Sequence, residues 1–93
     1  MALLSDEEVK KRLKEIPGWQ HRGESIVKSF DRSDFVGSVK FVDSLVAPAE
    51  EMNHHPDIAI SYDHVTLRWW THTAGGITDR DRELAAKTNE LVA

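Results

Sequence analysis

The stretch Ile58-Ala59-Ile60-Ser61-Tyr62-Asp63-His64-Val65-Thr66-Leu67-Arg68-Trp69-Trp70-Thr71 decides the fold. Ile58 to Tyr62 and Val65 to Thr71 are rich in β-branched and aromatic residues, and Asp63-His64 reads as the turn between them. In the second run Val65, Leu67, Trp69 and Thr71 fall on one face. Thr66, Arg68, Trp70 and His72 fall on the other. The alternation is that of an antiparallel strand with one covered face. One of the adjacent tryptophans therefore belongs to the core. The other forms a surface patch, an interface or a pocket wall.

Upstream, the spacing of Phe35, Val39, Val42, Val46 and Ala49 predicts a helix, capped by Asp31 or Ser33. Phe41, Leu45 and Met52 widen its apolar face, so it is expected to be the most buried helix. Pro48 lies inside the pattern, where its missing N–H and its clash with the Ser44 carbonyl predict a kink or a restart. Pro56 then disfavours helical geometry at His55, so the helix ends near His54. Further upstream, Trp19 to Arg22 and Ser25 to Phe30 form a hairpin around Gly23-Glu24. Ser5-Asp6-Glu7-Glu8 is a capping box, Leu4 and Val9 sit at staple positions, and Val9, Leu13 and Ile16 make an apolar stripe that Pro17-Gly18 ends. Downstream, Gly75-Gly76 breaks the chain and Thr78 caps a last helix with Leu84, Ala85, Thr88, Leu91 and Val92 facing inward. The order is α-β-β-α-β-β-α. It predicts an α+β fold, a four-stranded antiparallel sheet with three helices packed on one face, in a single domain over residues 1–93.

Composition narrows the function. The 93 residues are 40% hydrophobic and 30% charged, enough for a modest core. A domain this small often gains stability by oligomerising. The net charge of −4 argues against sequence-independent nucleic-acid binding. The absence of cysteine excludes a disulfide scaffold, a thiolate metal site and a cysteine nucleophile. The longest stretch without formal charge, Trp69 to Thr78, has ten residues, against the roughly 20 of a membrane helix. The acidic start carries no secretory pattern, and a cytoplasmic location is expected.

Chemistry concentrates in Glu50-Glu51-Met52-Asn53-His54-His55-Pro56-Asp57. Three of the five histidines, His54, His55 and His72, stand at a helix end and a strand end that can converge. Imidazoles near neutral pKa can supply a general acid and a general base together. Each residue also has a plain structural reading. His54-His55-Pro56 can cap a helix, Asp81 can complete a capping box with Thr78, and Glu50 and His72 can be solvated. His21 and His64, in or beside hairpin turns, read as surface residues. Adjacent helical residues point about 100° apart, so His54 and His55 do not chelate readily, and no metal is expected. Neither a nucleophile elbow nor a phosphate loop is present.

From Gly18-Trp19 through Phe30, Asp34-Phe35, Ala49-Glu50, His54-His55-Pro56, Tyr62, Val65, Thr71-His72, Gly76-Ile77-Thr78 and Arg80-Asp81, the sequence resembles the pterin-4a-carbinolamine dehydratases. The resemblance covers most of the chain in order, and implies the same α+β architecture and a homodimer or homotetramer. It implies dehydration of 4a-hydroxytetrahydrobiopterin, left by aromatic amino-acid hydroxylases, to quinonoid dihydropterin, with no cofactor. Carried over by position, His54, His55, His72 and Asp81 are the catalytic residues, with the aspartate orienting His72 or holding it charged. Glu50, Pro56, Thr71 and Thr73 are placed at the substrate. Pro48 and Trp69-Trp70 depart from the family pattern. Two other roles go with the resemblance. One is action on another pterin, such as a molybdopterin-related compound. The other is service as a protein-binding dimerisation cofactor of a transcription factor.

Overall fold

The computed structural model describes residues 2–92. Its elements are α1 (Asp6–Leu13), β1 (Gln20–Arg22), β2 (Ser25–Asp31), α2 (Phe35–Met52), β3 (Asp57–Ser61), β4 (His64–Trp69) and α3 (Asp79–Leu91). The strands form one antiparallel sheet in the order β1-β2-β4-β3. The expected α+β architecture is therefore present, with the two hairpins joined along β2 and β4.

Register places the core. Ile26 lies opposite Trp69 and Phe30 opposite Val65, so the buried apolar residues of both central strands share one face. The helices cover that face with Val9, Phe41, Leu45, Ala49, Leu84 and Ala85. Lys28 shares it too, between Ile26 and Phe30, and reaches outward so that its Nζ donates to the carbonyl of Pro17 and to Asn89 Oδ1. Burial pushes its pKa down. The Trp19 indole N–H donates to the same Asn89 Oδ1, which ties α3 to the entrance of β1. The start of α1 is the predicted capping box: the Glu8 N–H donates to Ser5 Oγ and the Ser5 N–H to Glu8 Oε1.

Several expectations need correction. The β3–β4 turn is Tyr62-Asp63 rather than Asp63-His64. Ser61 pairs with His64, and Tyr62 takes the tight bend with a left-handed φ of 50°. The cap of α2 is Asp34, whose Oδ1 accepts from the Gly37 N–H at 2.7 Å. Asp31 and Ser33 instead build the preceding turn, where Ser33 is left-handed and its N–H donates to Asp31 Oδ1. Helix α2 continues through Pro48 without a restart.

A further correction concerns its buried face, which runs along Ser38, Phe41, Leu45 and Ala49. Phe35, Val39 and Val46 were expected inside, yet they are 56%, 37% and 57% exposed. The helix is apolar on two adjacent stripes, and Ser38 disguised the inner one. Its hydroxyl is satisfied by donating to the Tyr62 carbonyl at 2.7 Å, so a polar residue sits in the core without penalty. Lastly, Leu91 in α3 is exposed, and the inner face of that helix begins instead with Asp81. His64 is exposed as expected, but His21 lies within β1 and is half-buried.

Candidate active site

The end of α2 sorts the two adjacent histidines. Asn53 adopts left-handed geometry, with φ 47° and ψ 48°. The Asn53 N–H donates to the Glu50 carbonyl and the His54 N–H to the Ala49 carbonyl, the paired bonds of a Schellman turn. The chain thereby folds back on the helix. His54 turns inward and is 7% exposed, stacked at 5.7 Å and 16° on the core residue Trp69. His55 points outward, where its Nε2 meets Glu50 Oε2 at 2.5 Å with both side chains largely in solvent.

Beneath His54 lies a fully buried carboxylate. Asp81 Oδ1 is 2.6 Å from His54 Nε2. Its Oδ2 accepts from the Thr71 hydroxyl at 2.9 Å and from the Thr78 N–H at 2.8 Å. The Thr71 and Thr78 hydroxyls are 2.8 Å apart. Asp81 thus has three polar partners shared over both oxygens, the kind of compensation that keeps a carboxylate in a dry interior. The capping box at Thr78 supplies this geometry, because it fixes Asp81 in the first turn of α3. A capping role and a site role coexist in one residue. A carboxylate only accepts, so His54 Nε2 is the donor in this contact.

The resemblance pairs the aspartate with His72, to orient it or hold it charged. The structure instead gives Asp81 to His54. Thr71, just past the end of β4, is buried against Asp81, and the next residue, His72, is exposed in the turn that follows.

A cleft of about 420 Å³ opens above this cluster, lined by Asn53, His54, His55, Trp70, Thr71, His72, Thr73 and Arg80. It brings together the three histidines named from the sequence. Thr71 and Thr73 line it as well, although the Thr71 hydroxyl is spent on Asp81 and Thr78. Glu50 and Pro56 do not line it. They border an adjacent apolar groove with Val42, Leu45, Val46, Ala49, His55 and Ile58, so Glu50 reaches the cleft through His55. Asn53 and Arg80 are lining residues that sequence reasoning did not place at the site, and Trp70 is the tryptophan that takes the pocket-wall role. The signal for Arg80 was its position beside Asp81; Trp70, directly after β4, continues the outward side of Arg68.

Among the described residues, the only set of three or more potential metal ligands held close together is Asp31, Asp63 and His64, away from this cleft. Asp63 and His64 there form an exposed ion pair at 2.8 Å, which raises the histidine pKa and lowers that of the aspartate through their hydrogen bond. None of the described helices is long and apolar enough to cross a membrane.

The chain is similar to known proteins over its whole length. A protein of Thermomicrobium roseum, named as a candidate pterin-4-alpha-carbinolamine dehydratase, is 44% identical over 93 residues, covering 100% of both chains. One of Sulfolobus acidocaldarius with the same name is 42% identical over 88 residues, covering 95% of this chain and 97% of its own. The crystal structure of a transcriptional coactivator/pterin dehydratase from Brucella melitensis superposes with a TM-score of 0.94 at 30% identity, over 99% of this chain and 100% of that one. A pterin dehydratase-like RuBisCO assembly factor of the alpha-carboxysome shares the fold, with a TM-score of 0.65 at 24% identity over 81% of this chain and 87% of its own. Residues 2–91 match the family described as pterin 4 alpha carbinolamine dehydratase, and with relatives this similar over their whole length, the chain belongs to that family.

Proposed function

We propose that the cleft binds 4a-hydroxytetrahydrobiopterin and eliminates water from it, so that the protein is a hydro-lyase of pterin recycling. The observation that carries this reading is the buried Thr71–Asp81–His54 chain opening onto a cleft that two further imidazoles share. The reaction breaks the C4a–O bond. The leaving hydroxyl takes a proton and departs as water, N5 gives one up, and the N5–H electron pair becomes the C4a–N5 double bond. One proton enters and one leaves, which suits paired imidazoles and needs no metal or redox cofactor. The acid and the base are drawn from His54, His55 and His72. Asp81 fixes the ring and tautomer of His54 without touching substrate, as the orienting carboxylate does in other histidine sites. Thr73 and Arg80, which line the cleft, contact the substrate in this reading, and Glu50 and Pro56 act from the adjoining groove. A cytoplasmic setting goes with this role.

We also infer self-association to a homodimer or homotetramer. Val36, Val39 and Val46 on α2, with Ile58 and Ile60 on the edge strand β3, leave a continuous apolar surface open in the single chain. The same surface is what a protein-partner role, such as that of a coactivator, would use.

The test is stopped-flow loss of chemically generated 4a-hydroxytetrahydropterin absorbance for wild type, His54→Ala and His72→Ala. Acceleration by wild type that the folded variants lose by at least about tenfold supports the reading. A folded wild type that gives no acceleration overturns it and leaves another pterin or the partner role.

A further inference from the structure

Each imidazole of the cleft has its own holder. Asp81 holds His54 and Glu50 holds His55. His72 makes no side-chain hydrogen bond among the described residues, and it is exposed. What it does have is Trp70, whose ring centroid lies 3.9 Å away at a tilt of 42°. Trp70 is itself tethered, because its indole N–H donates to Asp57 Oδ2 at 2.9 Å. Sheet register explains the reach. Asp57 is the cross-strand partner of Arg68, and Trp70 follows two residues later on the same face, so Asp57 and Trp70 are diagonal neighbours. Asp57 in turn follows Pro56 directly after the two histidines. The segment that carries His54 and His55 is thereby tied, across the open face of the sheet, to the segment that carries His72.

The geometry points to Trp70 as a positioning residue for His72, with Asp57 fixing the indole. This rests on the dehydratase reading only for what His72 then does. Tryptophan is the side chain that meets both demands, a broad ring under the imidazole and an N–H that reaches Asp57. Phenylalanine keeps the first and loses the second. Small misplacements of a reacting group cost about 100-fold in rate, so a ring left free to turn is a rate defect rather than a binding defect.

The experiment compares the full chain with Trp70→Phe, Trp70→Ala, Asp57→Asn and Asp57→Ala. It measures kcat and KM for the dehydration, and the NMR signals of the His72 ring. Trp70→Ala is expected to lower kcat about 10- to 100-fold while KM stays within about threefold. Trp70→Phe retains part of the rate. Asp57→Asn, which keeps an acceptor for the indole, stays near wild type. Asp57→Ala, at an exposed position, lowers kcat several-fold and shifts the His72 ring signals although residue 57 does not touch residue 72. A Trp70→Ala protein with unchanged kcat, or one in which KM alone rises, overturns the proposal. So does an Asp57→Ala protein whose His72 signals match wild type. If wild type itself shows no turnover, the dehydratase reading falls separately, and the ring signals still decide whether Trp70 and Asp57 hold His72.

Discussion

His54 and Asp81, 27 residues apart in the chain, meet at 2.6 Å between Nε2 and Oδ1, joining the C-terminus of α2 to the N-terminus of α3 beneath the cleft. This contact is at once a packing joint and the orientation of a proton-transfer group. The two roles separate by substitution. Asp81→Asn keeps the volume and can still cap the helix, so the fold should persist while dehydration falls by about 10²- to 10⁴-fold. Asp81→Ala leaves Thr71, Thr78 and His54 without their shared acceptor, and urea unfolding should show a loss of about 3–5 kcal/mol.

Thr71 tests the same cluster from the strand. Thr71→Val is nearly isosteric but removes the hydroxyl given to Asp81 Oδ2. A buried acceptor losing one partner costs about 1–3 kcal/mol. Thr71→Ser keeps the donor and should retain most of that stability in the same denaturation experiment.

Gly37 reverses an ordinary helix rule. Within a helix, alanine usually gains about 1 kcal/mol over glycine. A Cβ on Gly37 would overlap the backbone carbonyl oxygen of Arg32 and crowd the capping carboxylate of Asp34. Gly37→Ala should therefore destabilise by about 1–3 kcal/mol, measured by thermal or urea unfolding.

The exposed Asp63–His64 pair at the β3–β4 turn gives a pH signature. Asp63 holds the His64 pKa above the ordinary 6.5, so the contribution of His64 is complete below that value and fades as pH rises through its raised folded pKa. The Asp63 pKa lies below the ordinary 3.8, so its contribution is present above that value and is lost as pH falls through its lowered one. The pair therefore acts between those limits. The Tm difference between wild type and His64→Gln should be largest in weakly acidic solution and should vanish at alkaline pH.

The bare stripe of α2 predicts assembly. Val39→Glu with Val46→Glu places two charges on solvent-exposed positions of the single chain, which leaves its own core untouched. Sedimentation velocity should show wild type as a dimer or tetramer and the double variant as a lighter species, with far-ultraviolet circular dichroism unchanged. A wild type that sediments as a monomer would remove the self-association inference.

Much of this fold is readable from pattern. The alternation of Val65, Leu67, Trp69 and Thr71 gave the covered face of the sheet, and the Ser5 and Thr78 capping boxes gave two helix starts. The failures occur where local rules are degenerate. Helix α2 has two apolar stripes, and only the docked sheet chooses between them. Ser38 is a core residue because the Tyr62 carbonyl is within reach, a contact between positions 24 apart. At the site, residue types were legible and partnerships were not. Asp81 meets His54 rather than His72 because Thr71 is buried against it just past the end of β4, while His72 is exposed in the following turn beside Trp70 at the cleft.

The left-handed residue Asn53 carries a last consequence. The Schellman turn counts positions from the helix end, so the neighbouring histidines are read in frame: the first enters a dry, fixed environment and the second a wet, loosely held one. One residue added or removed between Ala49 and His54 would shift that frame and exchange their surroundings with no change in their chemistry. A His-His-Pro triplet grafted onto a helix that ends differently would carry the letters and lose the division of labour.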